Sequence, residues 1–328
     1  MKRVAALLVL DRTRPPPPIA SLPMGRAAVA LLRDGIEVIL ADQASNGRVS
    51  GFVATPTAWL PIQDAVVCGV YDRFPMPRFP QRHAQLVQQL HGIPLGNPVS
   101  LRALSRDKLA SQRHLEARGV VMPTVVDMTG DVQAMLRDWG VAFAKPQFGA
   151  VGVGVERVVP GDDIAPTRPG ALGVHEPTLL QCAVRPPEGW AGIATRTVVQ
   201  RDAQGVWIAG PPVARRSRID AVVNVARGAS ADAAEDVLPA QTVRALQLTA
   251  IRCAQALADH PDGADLLELG VDAMIDPELN PWVIELNTRP WGRLSALYAN
   301  DPERWRQAHV DLCARPFRYL AGRRTHIR

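Results

Sequence analysis

Two short aliphatic runs, Leu267–Ile275 and Trp282–Leu286, are separated only by the turn-forming segment Asp276–Pro281, and each carries an acidic residue in its interior. That pattern most constrains the fold. Runs of this length with a Gly/Pro/Asp break predict two adjacent β-strands, and carboxylates inside strands are costly to bury without a cation or an ion-pair partner. In the stretch GVDAMIDPELNPWVIELN, Asp272 lies on the first strand, while Glu285 and Asn287 are two apart on the second and so share a face. If the strands pair antiparallel, three oxygen-bearing side chains converge on one spot. Hard oxygen donors in that arrangement suit Mg²⁺, which keeps several waters and takes further ligands from substrate phosphates. Two unrelated polar groups at strand ends are the plainer alternative.

The rest of the chain supports an α/β architecture. Val4–Leu10, Met24–Arg33, Ile36–Leu40 and Asp64–Val70 read as strand, helix, strand and strand, the punctuation of a βαβ unit. A proline tract at 15–18 makes the first connection an extended loop, either a plain surface loop or the border of a ligand cleft. Gly and Pro punctuation around 93–98 marks a boundary, after which Ser105 is the expected N-cap of a helix over Arg106–Arg118 that stops at Gly119. Strands are expected at Val141–Lys145, Val153–Val159, Thr178–Val184, Ile193–Arg201 and Val206–Ala209, with a hairpin turn at Asp202–Gly205. A helix follows from about Pro239 to Ala258, with Val243, Leu246, Ala250, Cys253, Ala254 and Leu257 on one face.

A second constellation is Lys145 followed by PQFGAVGVGV. A lysine at a strand end, then Gly149, Gly152 and Gly154 before another strand, gives a hairpin whose backbone amides can approach phosphate oxygens closely. Alone, such a hairpin can equally be a flexible turn. The composition sharpens the point: of the 37 basic residues, 34 are Arg and only Lys2, Lys108 and Lys145 are Lys. Arg and Lys are interchangeable on solvated faces, whereas a close phosphate contact favours the compact ammonium.

Several classes are excluded or disfavoured. The net charge of +5 is spread along 328 residues without a basic run, and aromatics at 5% are not interleaved with the arginines, so no nucleic-acid partner is expected. Cysteines at 68, 182, 253 and 313 have neither zinc-site spacing nor disulfide density, which fits a reducing, cytoplasmic setting. No segment approaches about 18 apolar residues, so no membrane association is expected. A nicotinamide-type fold would need GxGxxG after the first strand, where the chain reads RTRPPPPIA.

In order and spacing, Lys108, Lys145 with its glycine-rich hairpin, Gln181 to Val184, Arg196, and Asp272 with a twelve-residue gap to Glu285 and Asn287 resemble the ATP-grasp superfamily. The resemblance covers about 100–298, and the first hundred residues match only a generic Rossmann-like pre-ATP-grasp domain. The phrases VYDRFP, SRDKLASQRHLEARGV and PWVIELNTRPWG are most similar to the YheC/YheD-type and RimK-like amino-acid ligase branches. The resemblance implies an ATP-grasp fold of class α/β (α+β), divided into 1–98, 99–180 with the glycine-rich lid, and 181–328 with the metal site. It implies that Lys108 and Lys145 contact ATP phosphates, that the amides of Gly149, Gly152 and Gly154 close over them, and that Gln181, Cys182 and Val184 form the adenine hinge. Asp272, Glu285 and Asn287 would hold one or two Mg²⁺, or Mn²⁺. Arg196, Arg289 and Arg293 would face the transferred phosphoryl group or the substrate carboxylate.

The implied reaction joins a small-molecule carboxylate to an amine through an acyl phosphate, releasing ADP and phosphate, in a monomer or homodimer. The alternative is an ATP-binding scaffold of the YheC/YheD type that has lost turnover. Two departures stand out. Relatives often carry Asp two residues before the Arg196 position, where this chain has Ala194, and Glu at the hinge, where it has Gln181. The Gln181 carbonyl is expected to take the adenine amino proton. Arg215, Arg216 and Arg218 form either a rim for an anionic substrate or a solvated strand edge.

Overall fold

The computed structural model describes residues 1–11, 13–14, 16–75, 78–149, 152–170, 173–222, 230–290 and 294–323. Three sheets follow one another along the chain. The first contains β1 (Lys2–Leu7), β2 (Ile36–Ser45), β3 (Arg48–Ala54), β4 (Trp59–Val66), β5 (Gly69–Asp72) and β6 (Leu95–Gly96), in the order β4-β3-β2-β1-β5-β6. Helix α1 (Pro23–Leu32) carries the crossover from β1 to its parallel neighbour β2, with Val4 opposite Val38, and β5 lies parallel on the other side of β1. Helix α2 (Pro80–Gln89) connects β5 to β6. The expected βαβ unit is present.

The region between differs from expectation. β2 runs on to Ser45 and folds back through Asn46 and Gly47, with φ of +48° and +75°, into an antiparallel β2-β3-β4 meander. The run expected as one strand over Asp64–Val70 is divided between the end of β4 and the start of β5.

Helices α3 (Val99–Arg106) and α4 (Lys108–Glu116) replace the single helix expected from Ser105. The cap is Asp107, whose carboxylate accepts from the backbone N–H groups of Leu109 and Ala110 at 3.1 Å each. A carboxylate at this position satisfies two orphan donors and favours the positive helix end. The Ser105 hydroxyl instead sits inside α3, 3.1 Å from Thr288 Oγ1. Lys108 is thereby placed in the first turn of α4.

The second sheet contains β7 (Val125–Asp127), β8 (Ala142–Pro146), β9 (Glu156–Val158), β10 (Thr167–Pro169) and β11 (His175–Cys182), with α5 (Val132–Trp139) before β8. β8 pairs antiparallel with both β9 and β11, so the glycine-rich segment links hydrogen-bonded neighbours.

The third sheet contains β12 (Gly192–Arg201), β13 (Trp207–Ala209), β14 (Val213–Ser217), β15 (Ser230–Ala233), β16 (Glu268–Ile275) and β17 (Pro281–Asn287), in the order β15-β14-β12-β16-β17 with β13 on β12. The short α6 (Ala234–Val237) leads to α7 (Ala240–Ala258), and α8 (Ser295–Asn300) and α9 (Pro302–Gly322) follow β17. Strand alternation divides the faces. Leu269, Val271, Val283 and Leu286 pack with Ala250, Cys253, Ala254 and Leu257 of α7 in one core, while Asp272 and Met274 turn the other way and line a cavity.

The core of the first sheet is completed from the far end of the sequence. Cys313, Ala314, Phe317, Leu320 and Ala321 of α9 join Val4, Ala6, Ala28, Leu31 and Tyr71, with Phe317 edge-on to Tyr71 at 5.5 Å between centroids. A buried polar seam joins the same sheet to the third one. Glu268, fully buried, accepts from Tyr71 Oη at 2.6 Å, Arg73 Nη1 at 3.0 Å and Gln200 Nε2 at 3.1 Å. Asn97 donates to the Glu268 and Thr288 carbonyls and accepts from Leu267 N.

Candidate functional site

A cavity of about 300 Å³ lies between the second and third sheets. Of the residues singled out from the sequence, Lys108, Lys145, Gly149, Gly152, Gln181, Cys182, Val184, Arg196, Asp272, Glu285 and Asn287 all line it. They come from α4, from β8 and β11 and the loops that follow them, and from β12, β16 and β17 of the third sheet. An adjoining cavity of about 830 Å³ shares Phe143, Val155, Val184 and Met274 with it, so the site opens outward past the 182–184 segment.

The floor is a row of charges across three strands. Arg196 on β12 is directly opposite Asp272 on β16, which is opposite Glu285 on β17. Directly paired residues point to the same side of a sheet. The antiparallel pairing expected for these two strands is present. A bulge between Asp272 and Ala273 adds Ile284 to the cavity lining while leaving Glu285 beside Asp272.

Asp272, 5% exposed, is gripped by Arg196 through two hydrogen bonds of 2.7 and 2.5 Å and by Arg215 at 2.9 Å. Burial drives its carboxyl pKa upward, but the charges and hydrogen bonds of the two arginines outweigh it and hold the group below the usual range. Arg196 is correspondingly raised by Asp272 against its own burial. The arginine expected to face a phosphoryl group therefore holds the carboxylate expected to face a metal. Arg215 belongs to the site, whereas Arg216 pairs with Asp232 at 2.8 Å and Arg218 stacks over Trp190.

The roof holds the two lysines. Lys145 on β8, buried, donates to Gln181 Oε1 at 2.8 Å; burial first, and then the charge of Lys108, bring its pKa down from 10.5 to about 7, with Glu285 opposing. Lys108 is also lowered by burial, against the pull of Glu285 and Glu176, and its ammonium donates to the Gly149 carbonyl. Two buried lysines whose charged forms are disfavoured by burial are each stabilised by an anionic ligand placed beside them. The glycine turn is tied to α4 as well: Gln147 Nε2 donates to the Asp107 cap at 2.9 Å and Gln147 O accepts from Lys108 N at 3.2 Å. Gly154, with φ of +70°, does not line the cavity; a Cβ there would lie 2.5 Å from the Pro169 carbonyl.

Two sequence expectations change, at Gln181 and Arg289. The Gln181 carbonyl is engaged by Lys145, which leaves its amide nitrogen buried without a hydrogen-bond partner among the described residues. Arg289 does not line the cavity: its side chain runs toward the first sheet, donates to the Phe74 carbonyl, and is lowered to about 10 by burial and the nearby Arg73. Arg293 lies outside the described residues. Asp107 is the participant that the sequence reading did not place, although an N-cap signal marked it. Strand register brings Arg215, one of the candidate rim arginines, onto Asp272.

Among the described residues no three His, Cys, Asp or Glu side chains are grouped to hold a metal by themselves, and no helix is long and apolar enough to cross a membrane. Asp272, Glu285 and Asn287 nevertheless offer only hard oxygen donors on one face, a set that fits Mg²⁺ whose remaining ligands are phosphate oxygens and water.

Three sheets in this order, with a cavity carrying two lysines between the second and third, are the fold of ATP-grasp ligases of known structure. Its residues 192–320 match a family model described as YheC/D like ATP-grasp. A D-alanine–D-alanine ligase of Magnetococcus marinus is 27% identical over 208 residues, which are 61% of this chain and 63% of that protein, so the match spans less than two thirds of the relative. Among solved structures, VanG D-Ala:D-Ser ligase from Enterococcus faecalis superposes with a TM-score of 0.59 at 12% identity, over 97% of this chain and 99% of that one. D-alanine–D-alanine ligase from Bacillus anthracis complexed with ATP gives 0.55 at 14% identity, over 98% and 97%.

Proposed function

We propose that the protein is an ATP-dependent carboxylate–amine ligase that releases ADP and phosphate, acting on an amino acid or small peptide. The observation that carries this reading is the convergence of both buried lysines, the 181–184 segment and the Asp272–Glu285–Asn287 face on one cavity. Phosphoryl transfer needs positioning and charge compensation more than covalent help from the protein. Lys108 and Lys145 would hold the phosphates, and the glycine turn between β8 and β9 would cover them and exclude water. The segment Gln181–Val184 would border the base. Asp272, Glu285 and Asn287 would hold Mg²⁺, which when bound supplies charge neutralisation between phosphate oxygens.

Arg196 and Arg215 hold Asp272 ionised and aligned, and their planar guanidinium forks are suited to orient a carboxylate or phosphate beside it. An amine then captures the acyl phosphate. We read residues 1–98, 99–180 and 181–328 as the pre-ATP-grasp, lid and metal-bearing units, with α9 returning to support the first. ADP release that depends on Mg²⁺ and on added amino acids tests the reading. Glu285→Ala and Lys145→Ala are expected to abolish it, and full turnover in either would refute the site assignment.

A further inference from the structure

Lys145 and Gln181 are each 6% exposed and lie on paired strands, where Lys145 is opposite Leu179 and Gln181 is opposite Phe143, so the two side chains share a face. The lysine Nζ donates to Gln181 Oε1 at 2.8 Å. An ammonium has three donors and no acceptor, so it fixes the amide: the oxygen faces the lysine and the NH₂ group faces away from it. Nucleotide phosphates beside Lys145 keep it protonated and preserve that orientation. Gln181 lines the cavity, as do Val184 and Met274, and its buried NH₂ has no hydrogen-bond partner among the described residues. Such a group calls for an acceptor from whatever fills the cavity.

Resting on the nucleotide reading above, we propose that Gln181 turns the base subsite into a hydrogen-bond donor, so that triphosphates of 6-oxopurines serve as substrates alongside ATP. Adenine offers a donor at its exocyclic amino group and an acceptor at N7, whereas a 6-oxopurine offers acceptors at both O6 and N7. The Gln181 NH₂ serves N7 of either base and O6 of the second, and gives nothing to the amino group. A carboxylate at this position would do the reverse, spending one oxygen on Lys145 and presenting the other as an acceptor that demands the amino group. Sites built to bond one polar group reject the analogue that lacks it by large factors.

The test is calorimetric binding of Mg-ADP and Mg-IDP to the intact protein, with kcat/KM for ATP and ITP alongside. The wild type is expected to bind the two diphosphates within about ten-fold of each other, and Q181E to favour the adenine nucleotide by at least about ten-fold more. Q181M, which removes donor and acceptor alike, is expected to weaken IDP more than ADP, and it keeps the proposal testable if the charged variant does not fold. A preference for ADP of about a hundred-fold or more that neither substitution changes would overturn the assignment while leaving the nucleotide site intact. No binding of ADP at all would overturn the nucleotide reading together with it.

Discussion

Nucleotide binding should be accompanied by proton uptake, and the source is Lys145. Among the described residues no carboxylate is in hydrogen-bond contact with it and the neutral Gln181 carbonyl accepts its hydrogen bond; burial and the Lys108 charge, against Glu285, bring its pKa to about 7. At about pH 8 a group titrating near 7 is only about one-tenth protonated. Phosphates arriving beside it restore an ordinary ammonium, so binding should take up about 0.9 proton at that pH and about 0.1 at about pH 6. Nucleotide phosphates, whose last ionisation lies near pH 6, contribute little to the count at the higher pH. The assay is calorimetry of Mg-ADP binding in two buffers of different ionisation enthalpy, where the slope of heat against buffer enthalpy gives the protons exchanged. Lys145→Arg carries a permanent charge and should abolish the uptake while still binding. Zero uptake at about pH 8, or an unchanged slope in Lys145→Arg, would refute the placement of a buried, poorly compensated lysine at the phosphate site.

Two further outcomes test the fold around the site. Phe317→Ala removes a fully buried ring of α9 from the core of the first sheet, and should cost about 3–5 kcal/mol in denaturant unfolding; a loss below about 1 kcal/mol would mean that α9 does not complete that core. Glu268, raised to about 7 mainly by burial against the opposing pull of Arg73, binds more protons folded than unfolded. Its contribution to stability is therefore fully present below its unfolded pKa of about 4.5 and is lost as pH rises through about 7. Glu268→Gln should flatten the fall in Tm across that window, and an identical pH profile in the variant would count against the raised carboxyl.

Much of the site was legible in the sequence because its chemistry is carried by unusual residue choices. Lysines are scarce in this chain, so Lys108 and Lys145 stand out, and acidic residues inside aliphatic strands mark Asp272 and Glu285. The antiparallel pairing of β16 and β17 follows from a short turn, and alternation then fixes which side chains meet. What was not legible depends on partners distant in sequence. Arg215 becomes part of the floor only through the β14–β12–β16 register, and the Gln181 amide is oriented by a lysine on the neighbouring strand. Arg289 carries the charge expected of a phosphate ligand, yet its backbone leaves β17 toward the first sheet, where the Phe74 carbonyl takes it. Two other features rest on local sequence signals. Asn46–Gly47 is a strong hairpin signal that defines the β2–β3 turn, and Asp107 is a stronger cap than Ser105 directly ahead of Lys108.

The most direct test of the ligase account follows the oxygen atoms. With carboxylates labelled with heavy oxygen in a pool of amino acids, ATP and Mg²⁺, attack of the carboxylate on the γ-phosphate and capture by an amine must transfer one labelled oxygen to the released phosphate. The account predicts labelled phosphate, ADP in equal amount, and a condensation product whose mass is that of its two components less one labelled water. Unlabelled phosphate, or tight nucleotide binding with no product across the pool, would contradict it.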